Sequence, residues 1–388
     1  MKAALVYSED FQKYNYGPQH PLKMERLKLT YELLKAYGVL GSPDVAVFEP
    51  ESAPYEEIVT FHTNEYIDVL KLIDKGIYPD NAGQYGLSWG DNPIFSGIYA
   101  GSLLTVGSTL KAVDIVLKNI APAAFSIAGG LHHAMPGRAS GFCYLNDPVI
   151  GINRILRDGK TVAYIDIDAH HGDGVQFAFY NTSKVLTISL HETGSFLFPG
   201  TGDVTEIGKG EGRGFSVNLP FYPETRDEVY LWGFKEIVPP ILDAFKPDIL
   251  VTQLGADSLY NDPLTHLELT NLAFKEMISF FKNLKIPWVA LGGGGYNILN
   301  VAKAWGLTFS MMAGVELDKE LHGAFKKILD REGINAELPG IIDMPLEQKD
   351  QKKQRQFAQK GVEYIKKEVF PIFGLSSDSS DPDLWERR

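Results

Sequence analysis

Residues 163–174 read A-Y-I-D-I-D-A-H-H-G-D-G, an apolar run that ends abruptly in carboxylates and imidazoles. The β-branched and aliphatic side chains of 161–167 predict a buried strand. Five ionisable groups lie within residues 166–173, which is more than turn chemistry needs. Asp168 and His170 are two residues apart in extended chain, so their side chains point to the same side and can hold one cation. The stretch therefore predicts a buried strand that leads into a metal site, with a solvent-facing polar loop as the alternative.

The composition of the chain is typical of a globular protein and unlike that of a nucleic-acid-binding one. Its 388 residues are 44% hydrophobic and 22% charged. The formal net charge of -12 argues against sequence-independent nucleic-acid binding, which depends on excess Lys and Arg. The single cysteine, Cys143, excludes an internal disulfide framework and favours a reducing compartment. Residues 1–10 lack a signal-peptide pattern, and no uninterrupted apolar run of about eighteen residues occurs, so we expect a cytoplasmic protein without a membrane partner.

Apolar segments alternate with helical segments from residue 123 onward, a rhythm typical of a parallel sheet with helices on both faces. The predicted strands are 2–7, 123–128, 161–167, 185–190, 248–254 and 287–291. The predicted helices are 26–37, 64–75, 96–118, 148–157 and 227–245, with Asp147 as the cap of the fourth. Long loops are predicted at 77–93 and 200–214. We expect one α/β domain over 1–375 and a polar tail over 376–388.

Residues whose side chains can bind a metal or take part in catalysis follow the predicted strands. They are 129–133, 168–173, His191, Asp257 and 292–296. Ligands of open α/β sheets bind in the crevice beyond the carboxyl ends of the strands, so these segments are expected to meet at one rim. Asp257 taken alone is ambiguous, because an isolated aspartate could equally cap a helix.

Two adjacent histidines, His132 and His133, follow a predicted strand and two glycines. Adjacent side chains diverge in a strand, so both can reach one cavity only where the backbone turns, which glycine permits. Each imidazole needs an acceptor to set its tautomer, and Asp166 and Asp173 are the available carboxylates. A structural histidine is the alternative for either residue.

Tyr296 follows four consecutive glycines. Glycine-rich runs often bind phosphate, yet no Lys-Ser/Thr follows and the spacing completes no dinucleotide fingerprint. The glycines would instead let the backbone pass close to a site and turn the phenol inward.

Six motifs in a fixed order together resemble the zinc-dependent histone deacetylases. They are G-G-L-H-H-A (129–134), S-G-F-C-Y-L-N-D (140–147), D-I-D-A-H-H-G-D-G (166–174), F-P-G-T-G-D (198–203), G-A-D-S-L (255–259) and G-G-G-G-Y (292–296). The resemblance runs from about residue 20 to residue 305. It points to the class I type and its bacterial acetoin-utilisation relatives.

The resemblance implies a fold and a catalytic centre. The fold would be a single α/β domain with a central parallel sheet of about eight strands. The metal ligands would be Asp168, His170 and Asp257, which bind Zn²⁺, or Fe²⁺ since this donor set discriminates poorly between the two metals. Asp166 would pair with His132, an electrostatic partner, and Asp173 with His133, the general base and then acid. Tyr296 would donate a hydrogen bond to the oxyanion.

The resemblance also implies a narrow substrate tube. Phe142 and Phe198 would form its walls beside Gly141, with Leu264 at the rim. Aromatic walls suit a methylene chain that ends in a neutral amide, although core packing is an alternative for either phenylalanine. Two further residues match the family by position: Asp91 would accept hydrogen bonds from the substrate backbone, and Arg26 would line an acetate exit channel. An exposed aspartate and a solvated helix arginine are the alternatives.

Structural K⁺ or Na⁺ ions are a further implication of the resemblance. The inner site would use Asp166, Asp168, His170, Ser189 and Leu190, and the outer site Phe179, Thr182, Val185 and Phe215, largely through carbonyl oxygens.

The expected function is hydrolysis of N-acetyl amides, above all of acetyl-lysine in proteins. Alternatives are a small acetyl-amine substrate such as an acetylpolyamine, a two-manganese ureohydrolase of the arginase or agmatinase type, and an acetyl-lysine reader without turnover. A corepressor complex is not expected, because Pro263 and Lys303 stand where the class I family carries arginines of the inositol-phosphate and corepressor surface, and Leu299 also replaces a basic residue.

Overall fold

The computed structural model describes residues 1–87, 90–317, 323–334, 340–343 and 345–376. Within these residues eight strands form one sheet. They are β1 Ala3–Val6, β2 Val45–Phe48, β3 Ala123–Ser126, β4 Val162–Asp166, β5 Val185–Glu192, β6 Ser216–Phe221, β7 Ile249–Gln253 and β8 Trp288–Leu291. The 163–174 stretch thus begins in β4 and continues beyond its carboxyl end.

The sheet runs in the order β2-β1-β3-β8-β7-β4-β5-β6, and every neighbouring pair is parallel. All eight carboxyl ends therefore lie at the same edge. Strands β3, β8, β7 and β4 are consecutive in the sheet, so the polar residues that follow them meet at one place, as the crevice rule predicts.

Helices cover both faces of the sheet, because side chains alternate between the faces along each strand. Ala163 and Ile165 belong to one buried cluster, while Val162 and Tyr164 belong to the opposite one. The described helices are α1 Glu25–Ala36, α2 Tyr55–Ile58, α3 Asn64–Asp74, α4 Ile98–Leu117, α5 Asp147–Arg157, α6 Asp173–Phe179, α7 Asp227–Phe245, α8 Asn271–Asn283, α9 Ile298–Ala313, α10 Gly323–Arg331 and α11 Lys352–Glu368. The predicted α/β architecture is confirmed.

Two strands were not predicted. β2 and β6 lie at the two edges of the sheet, where only one neighbour supplies hydrogen bonds and the apolar signal is weaker. β6 includes Pro220. Proline has no backbone N–H to donate, so within sheets it is tolerated mainly in edge strands, where one side needs no partner. The predicted tail falls almost wholly on 377–388, outside the described residues, as do residues 88–89 of the predicted 77–93 loop.

The prediction that Asp147 caps α5 is wrong. The cap is Asn146, whose side chain accepts a hydrogen bond from the Val149 N–H at 3.1 Å. Asp147 is the first helical residue, and its carboxylate instead accepts hydrogen bonds from the backbone N–H groups of Gly130 and Leu131.

Helix α4 is long and apolar enough to cross a membrane by length and composition. This is a weak indication, because the core helix of a globular protein passes the same test. Val113 and Val116 of α4 pack in the buried cluster on one face of the sheet.

Candidate active site

Three buried side chains converge just beyond the adjacent strands β4 and β7. The ligand-type atoms of Asp168, His170 and Asp257 all lie within 4.8 Å of one another. His170 Nδ1 is 3.2 Å from Asp168 Oδ1 and 2.9 Å from Asp257 Oδ2. Asp168 and Asp257 are 1% and 0% exposed. Two carboxylates and one imidazole are a donor set that suits a catalytic divalent cation and leaves positions open for water and substrate.

The oxygens that face away from this centre are held by the backbone and by one amide. Asp168 Oδ2 accepts hydrogen bonds from the Gly294 N–H at 2.7 Å and from Gln253 Nε2 at 3.2 Å. Asp257 Oδ1 accepts one from the Ala169 N–H at 2.8 Å. Such outer partners orient metal ligands, so both carboxylates are set in place by the fold itself.

The electrostatics of the centre favour a cation. Burial opposes a charge on His170, yet the Asp257 and Asp168 carboxylates outweigh it and raise the pKa of His170 to about 10. Burial and the charge on Asp168 raise the pKa of Asp257 to about 7. The cluster therefore stabilises bound positive charge, which a divalent cation would supply in place of protons. The donor set therefore fits a metal in both geometry and charge.

The two adjacent histidines lie side by side next to this centre. His132 Nδ1 is 2.8 Å from Asp166 Oδ2, and His133 Nδ1 is 2.7 Å from Asp173 Oδ1. Their Nε2 atoms are 3.0 Å apart. Each carboxylate accepts a hydrogen bond from its imidazole, which directs the Nε2 of each ring away from its own carboxylate.

The two imidazoles differ in protonation. Burial alone would lower the pKa of His132, but Asp166 and Asp168 outweigh it and raise that pKa to about 9. Burial and the neighbouring His132 lower the pKa of His133 to about 4. His133 is therefore neutral near pH 7 and can accept a proton, while His132 carries positive charge.

The turn that brings these histidines together is held by Asp147. Its carboxylate accepts the N–H of Gly130 at 2.9 Å and of Leu131 at 2.8 Å. Gly130 has φ +97°, and a Cβ there would lie 2.7 Å from the Gly293 backbone nitrogen. Asn146 adds hydrogen bonds from its amide to the His132 and Ala134 carbonyls. Neither Asp147 nor Asn146 was predicted to support the site.

The glycine run lets the chain pass directly over the Asp168 and Asp257 carboxylates. A Cβ on Gly294 would lie 2.0 Å from Asp257 Oδ2. Tyr296 follows, with its ring centroid 6.4 Å from that of His170 and 5.6 Å from that of Phe142. Tyr296 lines the same pocket as Asp168, His170 and the histidine pair.

Two phenylalanines stand above the centre. Phe198 is 44% exposed, and its ring centroid is 5.0 Å from that of His133. A Cβ on Gly141 would lie 2.7 Å from Phe198 Cε1 and 2.5 Å from His133 Cδ2, so only glycine fits between them. Phe142 has φ +67°, and its carbonyl accepts a hydrogen bond from Tyr16 Oη at 2.9 Å. Phe142 lines the pocket with His133 and Tyr296, and neither ring belongs to the fully buried core.

Arg26 is buried at 3% exposure, which excludes a solvated helix arginine. Its Nη1 donates to the Gly295 carbonyl at 3.0 Å, and its guanidinium lies 5.1 Å from the Trp305 ring centroid. Arg26 and Leu131 line both the metal pocket and a second small cavity beside it. Arg26 therefore borders both cavities.

The predicted rim residues are at the surface. Asp91 is exposed, and its backbone carbonyl accepts a hydrogen bond from His20 Nε2 at 3.1 Å. Leu264 is half-buried, and its N–H donates to Asp262 Oδ1 at 3.0 Å.

The residues predicted to hold monovalent cations lie around the ends of β5. Asp166 and Ser189 are register partners in β4 and β5. The Leu190 carbonyl accepts a hydrogen bond from Tyr230 Oη at 2.9 Å. Both cation sites, including the outer one at Phe179, Thr182, Val185 and Phe215, stay predictions.

Two further residues named from the sequence are buried and have structural partners. His191 is fully buried, with Nδ1 2.8 Å from Ser189 Oγ and Nε2 2.9 Å from the Gly202 carbonyl, so both ring nitrogens are engaged away from the metal centre. Lys303 is only 3% exposed and forms an ion pair with Asp343. Lys303 is therefore not a surface cation for an anionic partner.

The buried His62 gives a testable pH dependence of stability. Its Nδ1 donates to the Pro136 carbonyl at 3.2 Å and its Nε2 accepts the Asn146 N–H at 2.9 Å. Burial lowers the pKa of His62 to about 4. The unfolded chain therefore takes up the proton first, so the stability that neutral His62 provides is complete above about pH 6.5 and is lost as pH falls towards 4.

We expect His62→Gln, which keeps one donor and one acceptor but does not titrate, to remove at most about 3 kcal/mol of this pH dependence. Urea unfolding of both proteins between pH 8 and pH 4 measures it. Identical slopes against pH would contradict the assignment.

Comparisons with known proteins agree on one family. The family model described as Histone deacetylase domain matches residues 20–312. The chain is 40% identical over 327 residues to the acetoin utilization protein AcuC of Bacillus subtilis (strain 168), covering 82% of this chain and 84% of that relative. It is 37% identical over 326 residues to histone deacetylase 1 of Homo sapiens, covering 82% of this chain and 66% of the human protein. The crystal structure of an HDAC homolog from Aquifex aeolicus matches with a TM-score of 0.85 at 32% identity, over 93% of this chain and 100% of that chain.

Proposed function

Because the chain belongs to the histone deacetylase family, we propose that it is a zinc-dependent deacetylase that releases acetate from acetyl-lysine side chains of proteins. The observation that carries the proposal is a buried Asp-His-Asp group, two members of which, Asp168 and His170, line one pocket with a neutral His133 and Tyr296. These groups provide a metal site, a general base and an oxyanion donor, which hydrolysis of an unactivated amide needs.

Asp168, His170 and Asp257 would hold the metal, for which we propose Zn²⁺ with Fe²⁺ as the alternative. When bound, such a cation polarises a carbonyl and brings the pKa of a water towards about 7. This donor set discriminates poorly between the two metals.

His133 acts as the general base. Its ring is neutral and its Nδ1–H is engaged by Asp173, so Nε2, which lies 3.0 Å from His132 Nε2, is the ring nitrogen that accepts a proton from water. The same Nε2 then donates that proton to the leaving lysine amine. His132, 3.0 Å away and positively charged, stabilises negative charge that develops beside it.

Tyr296 and the aromatic walls act on the acetyl-lysine itself. The phenol lines the pocket floor and donates a hydrogen bond to the oxyanion of the tetrahedral intermediate. Phe142, Phe198 and Gly141 enclose the methylene chain, while Leu264 and Asp91 contact the substrate outside the tube. Arg26 lines the adjoining cavity, which is the proposed route for acetate.

Two alternative activities use related sites. An acetylpolyamine has the same acetyl-amide end as acetyl-lysine, so the catalytic residues serve either substrate. A ureohydrolase needs a second carboxylate-rich metal site. Among the described residues a single group of three potential ligands is found, and the nearby Asp262 carboxylate is already occupied by backbone N–H groups. This supports a mononuclear deacetylase.

The remaining features of the proposal follow from the sequence and the family. We expect a cytoplasmic enzyme that works on acetylated proteins or small acetyl-amines, binds structural K⁺ or Na⁺, and does not enter a corepressor complex. Exposed Pro263 and buried Lys303 support the last point.

A substrate panel tests the proposal. We expect the zinc-loaded protein to release acetate from an acetyl-lysine peptide faster than from an acetylpolyamine, and to release no urea from arginine. Acetate and urea are measured in parallel, with the unacetylated peptide as control. Absence of acetate release from every acetylated compound would contradict the proposed function, and faster release from the polyamine would change the substrate.

A further inference from the structure

Asp262 is a buried carboxylate that holds two separate parts of the proposed site. It is 8% exposed and lies in the loop between β7 and α8. Its Oδ2 accepts hydrogen bonds from the Tyr296 N–H at 2.8 Å and the Asn297 N–H at 3.3 Å. Its Oδ1 accepts one from the Leu264 N–H at 3.0 Å. One side chain therefore joins the chain at Tyr296 to the rim at Leu264.

The backbone before Tyr296 has little local support of its own. Gly293 and Gly295 have φ +115° and +131°, in a run of four glycines without side chains to pack. The peptide unit between Gly295 and Tyr296 is instead held from outside the run. Arg26 Nη1 donates to its carbonyl at 3.0 Å, and Asp262 accepts its N–H at 2.8 Å. Rotation of this unit would move the phenol, because the Tyr296 Cα follows it directly.

Helix capping does not account for these contacts. α9 begins at Ile298, and Asn297 is already its cap, accepting the N–H groups of Leu299 at 3.2 Å and Asn300 at 3.3 Å. Asp262 binds N–H groups that precede the helix, and one more in the rim loop. Its contacts are directed to the site residues.

We propose that Asp262 is a positioning residue, which sets the place of the Tyr296 phenol and ties it to the rim at Leu264. The role in turnover rests on the proposed deacetylase function. Asp262 acts through the tyrosine and touches neither substrate nor metal. Asp262→Asn retains one acceptor oxygen but turns an NH₂ group towards backbone N–H donors, so at least one of the three hydrogen bonds is lost.

A double-mutant cycle tests the proposal. With an acetyl-lysine peptide, Tyr296→Phe is expected to lower kcat by on the order of 10²- to 10³-fold. Asp262→Asn should lower kcat by about 10-fold or more with a smaller effect on KM, and should cost less than about 2-fold when added to Tyr296→Phe, because residues that act as one unit are not additive. Equal losses in both backgrounds would overturn the proposal.

Asp227→Asn is the matched control. The Asp227 carboxylate also accepts a backbone N–H, that of Thr270 at 2.8 Å, at the start of a helix. It is expected to lower stability and leave kcat unchanged. If Asp262→Asn does not fold, Asp262→Glu, which keeps the charge and displaces the carboxylate by one methylene, takes its place in the cycle.

A crystal structure of the Asp262 variant separates this proposal from the proposed function. We expect the Tyr296 phenol to be displaced while Asp168, His170 and Asp257 stay in place. If the wild-type protein releases no acetate, the deacetylase function fails, but the position of the phenol still tests Asp262. An unmoved phenol would overturn the positioning role whatever the activity.

Discussion

His133→Ala is expected to lower kcat for an acetyl-lysine peptide by on the order of 10²- to 10⁴-fold, the range of general acid-base catalysis. His133 is the group whose neutral imidazole, held by Asp173 at 2.7 Å, can both accept and return a proton. KM should change little, since the substrate tube is formed by other side chains. Steady-state kinetics with the zinc-loaded protein measure both constants.

His266→Gln is the matched control for this substitution. His266 Nδ1 also lies 2.8 Å from a carboxylate oxygen, that of Glu192, but its side chain is 58% exposed and it does not line the metal pocket. We expect near wild-type kcat from this variant. A His133→Ala protein that keeps more than about a tenth of the wild-type kcat, against the effect expected of a general base, would remove His133 from that role.

His132→Ala separates the two neighbouring imidazoles. His132 is the less able of the two to accept a further proton, because Asp166 and Asp168 raise its pKa against the effect of burial, whereas the pKa of His133 is lowered. Loss of His132 removes electrostatic stabilisation and leaves the base in place, so the effect on kcat should be smaller than that of His133→Ala. The reverse order would exchange the two roles.

Two of the three proposed metal ligands, Asp168 and His170, could be predicted from local rules, whereas Asp257 was assigned from the family resemblance. Alternation along an extended segment puts Asp168 and His170 on one side, and the parallel order of β4 and β7 brings Asp257 to them. For the adjacent side chains of His132 and His133 to reach one cavity, the backbone had only to turn, and Gly130 provides that turn with φ +97°.

The supporting carboxylates could not be predicted in the same way. Asp147 and Asp262 act on backbone N–H groups 17 and 34 residues away in the chain. A backbone N–H carries no sequence signal, so only the folded chain reveals which aspartate is buried against it. For the same reason Asp147 was predicted to be a helix cap. The burial of Lys303 was not foreseen because its side-chain partner, Asp343, lies 40 residues later in the chain.

Removal of the metal is expected to have the largest effect of all. Dialysis against a chelator should abolish acetate release, and added Zn²⁺ should restore it, because the proposed chemistry depends on a cation at Asp168, His170 and Asp257. The effect of zinc on stability gives a second test of the same site. Zinc in 100-fold excess over its Kd should raise the free energy of unfolding by about 2.7 kcal/mol, which thermal unfolding with and without zinc measures independently of activity.

Asp257→Asn should prevent this recovery. Changes to the outer partners of metal ligands cost about 10- to 100-fold in affinity, so replacing a ligand carboxylate 2.9 Å from His170 Nδ1 should cost more than about 100-fold. Asp248→Asn, at the exposed residue before β7, is the control, since among the described residues its carboxylate contacts Thr161 and Lys160, far from the proposed ligands in sequence. Zinc titration by calorimetry compares the two variants. If Asp257→Asn bound zinc as tightly as the control, these three residues would not be the metal site, and the neutral His133 beside them would have no activated water to deprotonate.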